Sequence, residues 1–191
     1  MADLMKTVLP GVDKVIEMGV ADPDRLGIMG FSNGGYSTLS LVAQTTRFKA
    51  AIVNAGFGDL VGLYGQLRKD GTAFGIGVLE PLLIGGSLWD YRSRYIENSP
   101  VFYLDKVQTP VLIIHGGSDD AISPFLADEV FVGLRRLGKE VEYAKYEGEG
   151  HWQGTWGYVN QADYLSRLLA WFDKYLKGSM GVPQEREGVK E

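Results

Sequence analysis

Apolar residues along the chain gather into short strand-length runs separated by stretches of helical period. The runs are "RLGIMG" (25–30), "KAAIVNAG" (49–56), "TPVLIIHG" (109–116) and "EVEYAKYEG" (140–148), each too short to favour a helix. Before the first, Val8, Val12, Val15 and Ile16 share one helical face up to about Met18, and Pro10 starts or kinks that helix. "ADPDR" (21–25) reads as a turn. Residues 33 to about 45 read as a helix with Leu39, Val42 and Ala43 inward. Small residues at Gly34, Gly35 and Ser37 let its first turn approach the sheet. Ser123-Pro124 is an N-cap and first-turn pair. The helix it opens turns Ala127, Val130, Phe131, Leu134 and Leu137 inward and closes at Gly138. Ala162, Leu165, Leu168, Leu169 and Phe172 mark a last helix, closed by Gly178, before a polar tail (179–191) expected to be frayed.

Strands alternating with helices predict βαβ units in an α/β fold with a mostly parallel sheet. The right-handed crossover rule then places helices on both faces of that sheet. Residues 57 to 108 break the rhythm: they are rich in glycine and aromatics, Tyr64, Phe74, Trp89, Tyr91 and Tyr95 among them, with no clear strand. Two readings stay open for them. One is an irregular connection that packs its own aromatics. The other is an insertion over the strand ends that shapes a pocket, because ligands of open α/β sheets bind outside the strands' carboxyl ends.

A chain of 191 residues is one domain or most of one, and its composition is that of a globular protein. A net charge of −5 argues against nucleic acid or an anionic membrane surface as partner. The absence of cysteine excludes disulfides and thiolate metal sites. With only two histidines, far apart in sequence, and no H-E-x-x-H, neither a metal nor an organic cofactor is expected. The opening "MADLMKTVLPGV" lacks the basic end and apolar block of a secretory signal, and no apolar run reaches membrane-spanning length. The expectation is a soluble, cytoplasmic protein.

The chemistry starts at "GIMGFSNGGYSTL" (27–39), where Gly30-Phe31-Ser32-Asn33-Gly34 fits G-x-S-x-G. In that pattern a strand turns sharply into a helix with the serine at the apex, and a Cβ at Gly30 or Gly34 is expected to collide with nearby backbone. The competing reading of Ser32 is an ordinary helix N-cap. A serine nucleophile needs a base. His115, in "LIIHGG", sits at the end of a buried strand and reads as structural, its ring satisfied by a backbone group. His151, in the glycine-rich "YEGEGHW", can swing over the sheet top and is the candidate base. The orienting carboxylate belongs between serine and histidine in the chain, which leaves Asp119 and Asp120 of "HGGSDDAISP", or a helix-capping role for either.

Together "DPDRLGIMGFSNGGYSTL", "SPVFYLDKVQTPVLIIHGGSDDAI", "YEGEGHW" and "WFDKYLKG" resemble the catalytic domain of the prolyl oligopeptidase family of serine peptidases, up to about residue 178. The resemblance implies an α/β-hydrolase fold and cleavage of peptide or amide bonds through an acyl-enzyme. It places the nucleophile on Ser32, the acid on Asp119 and the base on His151. The Asn33 N–H would bind the oxyanion, although the family often has tyrosine at that position. It also implies that the chain is the carboxyl-terminal portion of such a domain, with a truncated sheet whose exposed edge near residues 25–30 invites self-association. The expected partner is a peptide or small ester. A carboxylesterase of the same fold and a non-catalytic assembly subunit are the alternatives.

Overall fold

The computed structural model describes residues 1–177, so Gly178 and the polar tail lie outside the described residues. Four strands form one parallel sheet in chain order: β1 (Gly27–Phe31), β2 (Ala50–Asn54), β3 (Val111–Gly116) and β4 (Val141–Tyr146). β2 and β3 are buried along their whole length, as their apolar sequences require, whereas β4, at the other edge, exposes Glu142 and Lys145 and buries Val141, Ala144 and Tyr146. β1 lies at one edge with Met29 48 % exposed.

Alternate strand residues serve two cores. Ala51, Val53, Val111, Ile113 and Val141 pack beneath α1 (Ala2–Glu17), α2 (Asn33–Val42) and α5 (Pro124–Arg136). Ala50, Ile52, Leu112, Ile114 and Ala144 pack on the opposite face against α6 (Tyr158–Leu176). Helices therefore cover both faces. Pro10 stands inside α1, whose packed stripe is Leu4, Met5, Val8, Leu9 and Val12, while Val15 is exposed.

Two helical stripes differ from expectation. On α6, Leu165 and Leu169 are exposed, and the stripe facing the sheet is Tyr164, Leu168, Trp171, Phe172 and Tyr175. Its spacing is that of one helical face, and each leucine follows a stripe residue by one position, about 100° further round the helix. Leu137 is exposed because α5 has already ended. It is the C-cap, followed by Gly138 at φ +68°.

Residues 57–108 contain more regular structure than an irregular connection would. They hold α3 (Leu60–Tyr64), a π-helical stretch (Gly75–Ile84), α4 (Arg92–Glu97) and a 3₁₀ stretch (Pro100–Lys106). Asp59 caps α3 by accepting from the Val61 and Gly62 amides. The segment has its own core of Phe57, Leu60, Leu63, Phe74, Leu79 and Tyr95, joined by Ile122 and Leu126 from beyond the end of β3. Tyr36 of α2 stacks on Phe57. The segment thus packs where the strands' carboxyl ends lie. Tyr64 and Tyr95 are buried in it edge to face, but Trp89 is exposed.

α2 presses on the sheet through one glycine pair. A Cβ on Gly35 would meet Gly56 Cα at 2.8 Å, and one on Gly56 would meet the Gly35 backbone at 2.9 Å. Gly34, expected to be tight, has nothing within 4 Å of a built Cβ. Gly35→Ala should therefore destabilise the protein by about 1–3 kcal/mol through a backbone clash. Gly34→Ala, inside a helix, should be neutral or stabilising by up to about 1 kcal/mol. Urea denaturation of the two variants checks the contrast, and equal losses would contradict it.

Candidate active site

β1 runs into a turn at Ser32, and α2 begins at the next residue. Ser32 has φ 56° and ψ −118°, a backbone state that costs a non-glycine residue about 1–3 kcal/mol. The fold holds it there from two sides. The Ser32 amide donates to Asn54 O at the end of β2 (2.9 Å), and its carbonyl accepts from the Tyr36 amide (3.1 Å). The Gly34 carbonyl folds back so closely that a Cβ on Gly30 would lie 2.0 Å from its oxygen. Only glycine fits at position 30.

The Ser32 hydroxyl makes no capping bond to α2. Its Oγ lies 3.1 Å from His151 Nε2. His151 is carried by the loop after β4, which several contacts press onto the end of β3. The Ser118 amide donates to Glu149 O (2.8 Å), and Trp156 Nε1 donates to Gly150 O (2.8 Å). A Cβ on Gly116 would lie 2.3 Å from Gly150 O. Gln153 Nε2 donates to both His151 O and the buried Asn54 Oδ1, and the Phe31 ring packs 4.8 Å from the imidazole. His151 is half-buried and its ring is held on its backbone and its face.

The other ring nitrogen, Nδ1, lies 2.6 Å from Asp119 Oδ2. Asp119 has no exposed side-chain surface. Its Oδ1 accepts from the Ala121 and Ile122 amides, both at 2.9 Å. Asp120 stands apart: its side chain is 57 % exposed and its carboxylate is 3.8 Å from Lys69 Nζ. His115 is fully buried, and its Nε2 lies 3.0 Å from Ile122 O, the backbone partner expected of a structural histidine. The same nitrogen is also 3.1 Å from Asp119 Oδ2, a contact the sequence reading missed. Its one signal was the i, i+4 spacing of His115 and Asp119 across a strand end.

Burial opposes the charge on Asp119. Hydrogen bonds from His115, His151 and the Ile122 amide outweigh it and hold the carboxyl well below the usual carboxylate range. The site therefore lines up a hydroxyl, an imidazole and an anionic carboxylate, the arrangement that lets a serine lose its proton as it attacks. Asn33 is exposed at the first position of α2, where backbone N–H groups have no partner within the helix and the dipole is positive. A cavity of about 620 Å³ opens beside it, lined by Tyr36, Leu60, Ile84 and Arg94 among others. A cavity of about 650 Å³ between α5 and the 3₁₀ stretch contains none of Ser32, Asn33, Asp119 and His151. Among the described residues, no group of three or more His, Asp or Glu side chains could hold a metal ion. No described helix is long and apolar enough to cross a membrane.

The sequence profile of the prolyl oligopeptidase family matches residues 3–179. An uncharacterised peptidase of Bacillus subtilis, YuxL, is 32% identical over 171 residues, 88% of this chain and 25% of the relative. The acylamino-acid-releasing enzyme of Arabidopsis thaliana is 29% identical over 91% of this chain and 23% of its own length. The solved structure of Pyrococcus horikoshii acylaminoacyl peptidase superimposes with a TM-score of 0.82 at 26% identity, over 94% of this chain and 29% of that one. The chain thus spans about a quarter of the length of the relatives it matches.

The state of Asp119 has a consequence for acid stability. An aspartate in the unfolded chain titrates near about pH 4, and this one titrates lower when folded. Its contribution to stability is fully present above the unfolded value and is lost as pH falls through the folded one. Urea denaturation of the parent and Asp119→Asn, from about pH 7 to about pH 3, should show a stability gap that narrows as pH drops below about 4. A gap that does not change with pH would mean the carboxylate's charge contributes nothing.

Proposed function

The chain belongs to the prolyl oligopeptidase family, and on that premise we propose that it hydrolyses peptide or amide bonds with Ser32 as nucleophile. The observation that carries the reading is the unbroken line from Ser32 Oγ through His151 to the buried Asp119. In this mechanism His151 Nε2 takes the Ser32 proton as Oγ attacks the carbonyl carbon. Asp119 fixes the imidazole tautomer, with Nδ1–H donating to Oδ2, and stabilises the imidazolium that forms. The Asn33 amide, at the positive end of α2, donates to the oxyanion of the tetrahedral intermediate. The imidazolium then protonates the leaving amine, which departs and leaves an ester on Ser32. Water, deprotonated by His151, attacks that ester, and collapse of the second intermediate returns the proton to Ser32 and frees the acid.

The positive φ at Ser32 supports the reading because it lifts the side chain out of the helix and toward His151 instead of into a cap. The cavity beside Asn33, lined by Leu60, Leu83 and Ile84 as well as by polar groups such as Asp3, Arg94 and Asn98, is where a substrate side chain or blocked amino end would lie. The names of the Arabidopsis and Pyrococcus relatives point to amino-terminally acylated peptides as the first substrates to try.

A fluorophosphonate should add one covalent label to the chain, read by intact mass, and Ser32→Ala should lose it. Asp119→Asn should fold and lose about 10⁴ in kcat, while Asp120→Asn should stay close to the parent. Turnover of an acylated amino-acid anilide against a short aryl ester separates a peptidase from an esterase of the same fold. A folded chain that takes no label would overturn the reading.

A further inference from the structure

We propose that His115 is a positioning residue: its Nε2–H holds the Asp119 carboxylate in the plane that aims Oδ2 at His151. The consequence for turnover rests on the functional reading above, whereas the hydrogen-bonded arrangement itself is independent of it.

Asp119 Oδ1 is fixed by two amides of its own loop, Ala121 and Ile122. Neither of these bonds reaches Oδ2. Oδ2 has two neighbours, His151 Nδ1 at 2.6 Å and His115 Nε2 at 3.1 Å. Without His115, the only group against Oδ2 among the described residues would be the imidazole that Oδ2 is there to steer. His151 is carried by a loop and has 21 % of its side chain exposed. His115 is fully buried at the end of β3, paired in register with Lys145 of β4, and therefore belongs to the rigid sheet.

The tautomer follows from the surroundings. Nε2 bonds Ile122 O and lies 3.1 Å from Asp119 Oδ2, both acceptors, so it carries the hydrogen. Nδ1 is buried with no hydrogen-bond partner among the described residues. A phenyl ring would fill the same space without burying an unpartnered nitrogen. What the imidazole adds over a phenyl ring is the Nε2–H, which bonds Ile122 O and lies 3.1 Å from the carboxylate. The bond to Ile122 O holds the 119–122 turn to the strand end, so the ring fixes the loop and the carboxylate together.

The test compares His115→Phe, which keeps the shape, with His115→Gln, whose amide nitrogen can donate from nearly the same place. His115→Asn, with an amide one carbon short, controls for polarity without reach. Two quantities are read on the full chain: the low-field proton NMR signal of His151 Nδ1–H, assigned by its loss in His151→Ala, and kcat and KM per fluorophosphonate-titrated site. For Phe and Asn, the signal should shift or broaden and kcat should fall about 10- to 100-fold. KM should stay within about twofold and Gln should recover most of the loss. A purely structural role would lower stability while leaving the signal and kcat per titrated site unchanged, which would overturn the proposal. If Phe does not fold, Gln and Asn decide it: equal signals and equal kcat in both would also overturn it. A parent chain with no label and no turnover would sink the functional reading alone, since the low-field signal and its response to these substitutions still judge His115.

Discussion

Asp119 carries a negative charge with no exposed side-chain surface, and much of the upper end of the sheet is organised around that fact. A buried carboxylate is tolerated only where donors replace the water it has lost. Here four donors converge on it from three parts of the chain: two amides of its own loop, His115 from β3 and His151 from the loop after β4. Each donor is also a tether. The amides wind the turn that leads into α5, and His115 ties that turn to the strand. His151 draws in the loop that Glu149 and Gly150 already press against β3. Satisfying one charge thus brings the end of β3 and the turn that follows it together with a loop 32 residues further along the chain.

The second constraint is the strained turn at Ser32. Asn54 connects it to the first. Its carbonyl accepts from the Ser32 amide, its Oδ1 accepts from Gln153 beside His151, and its Nδ2 donates to Tyr164 of α6. One buried asparagine therefore links elbow, histidine loop and closing helix. This arrangement depends on the parallel register that sets Phe31 opposite Asn54, because a slip of one residue would carry Ser32 away from the end of β2. The strain at Ser32 persists because β2 fixes one side of the turn and α2 the other.

The strands and the longer helices were legible because their signal is local: runs such as "VLIIHG" bury on both faces, and Ser123-Pro124 is a capping pair. Ser32 and His151 were legible because a tight turn needs Gly30 and a flexible loop suits a base. Asp119 against Asp120 was not settled by the residues alone, since adjacent acids differ only in which way the loop turns them. The inward choice of Leu165 and Leu169 failed because several stripes on α6 are apolar, and only the sheet selects between them. The role of Gly34 was misread in the same way, for the close approach falls one residue later at Gly35. Residues 57–108 look irregular in sequence because their helices are short and take π and 3₁₀ forms, stabilised by a shared core instead of long periodic faces.

That shared core bears on how the site is divided. Ser32, Asp119 and His151 hang from the sheet and its two cores, whereas the cavity beside Asn33 is walled by the starts of α1 and α2 and by residues between 60 and 98. The segment from 57 to 108 packs on Ile122 and Leu126, just beyond Asp119, and on Tyr36, just beyond Ser32. It is also tied beside Asp119 through Gln66, whose Oε1 accepts from the Ser123 amide and whose Nε2 donates to Ala121 O, and its Leu104 and Val107 sit in the core beneath α2 and α5. The hydrogen-bonded line thus depends on strand register and a buried charge, whereas the cavity depends on short helices that pack on one another and on the amino-terminal ends of α1 and α2.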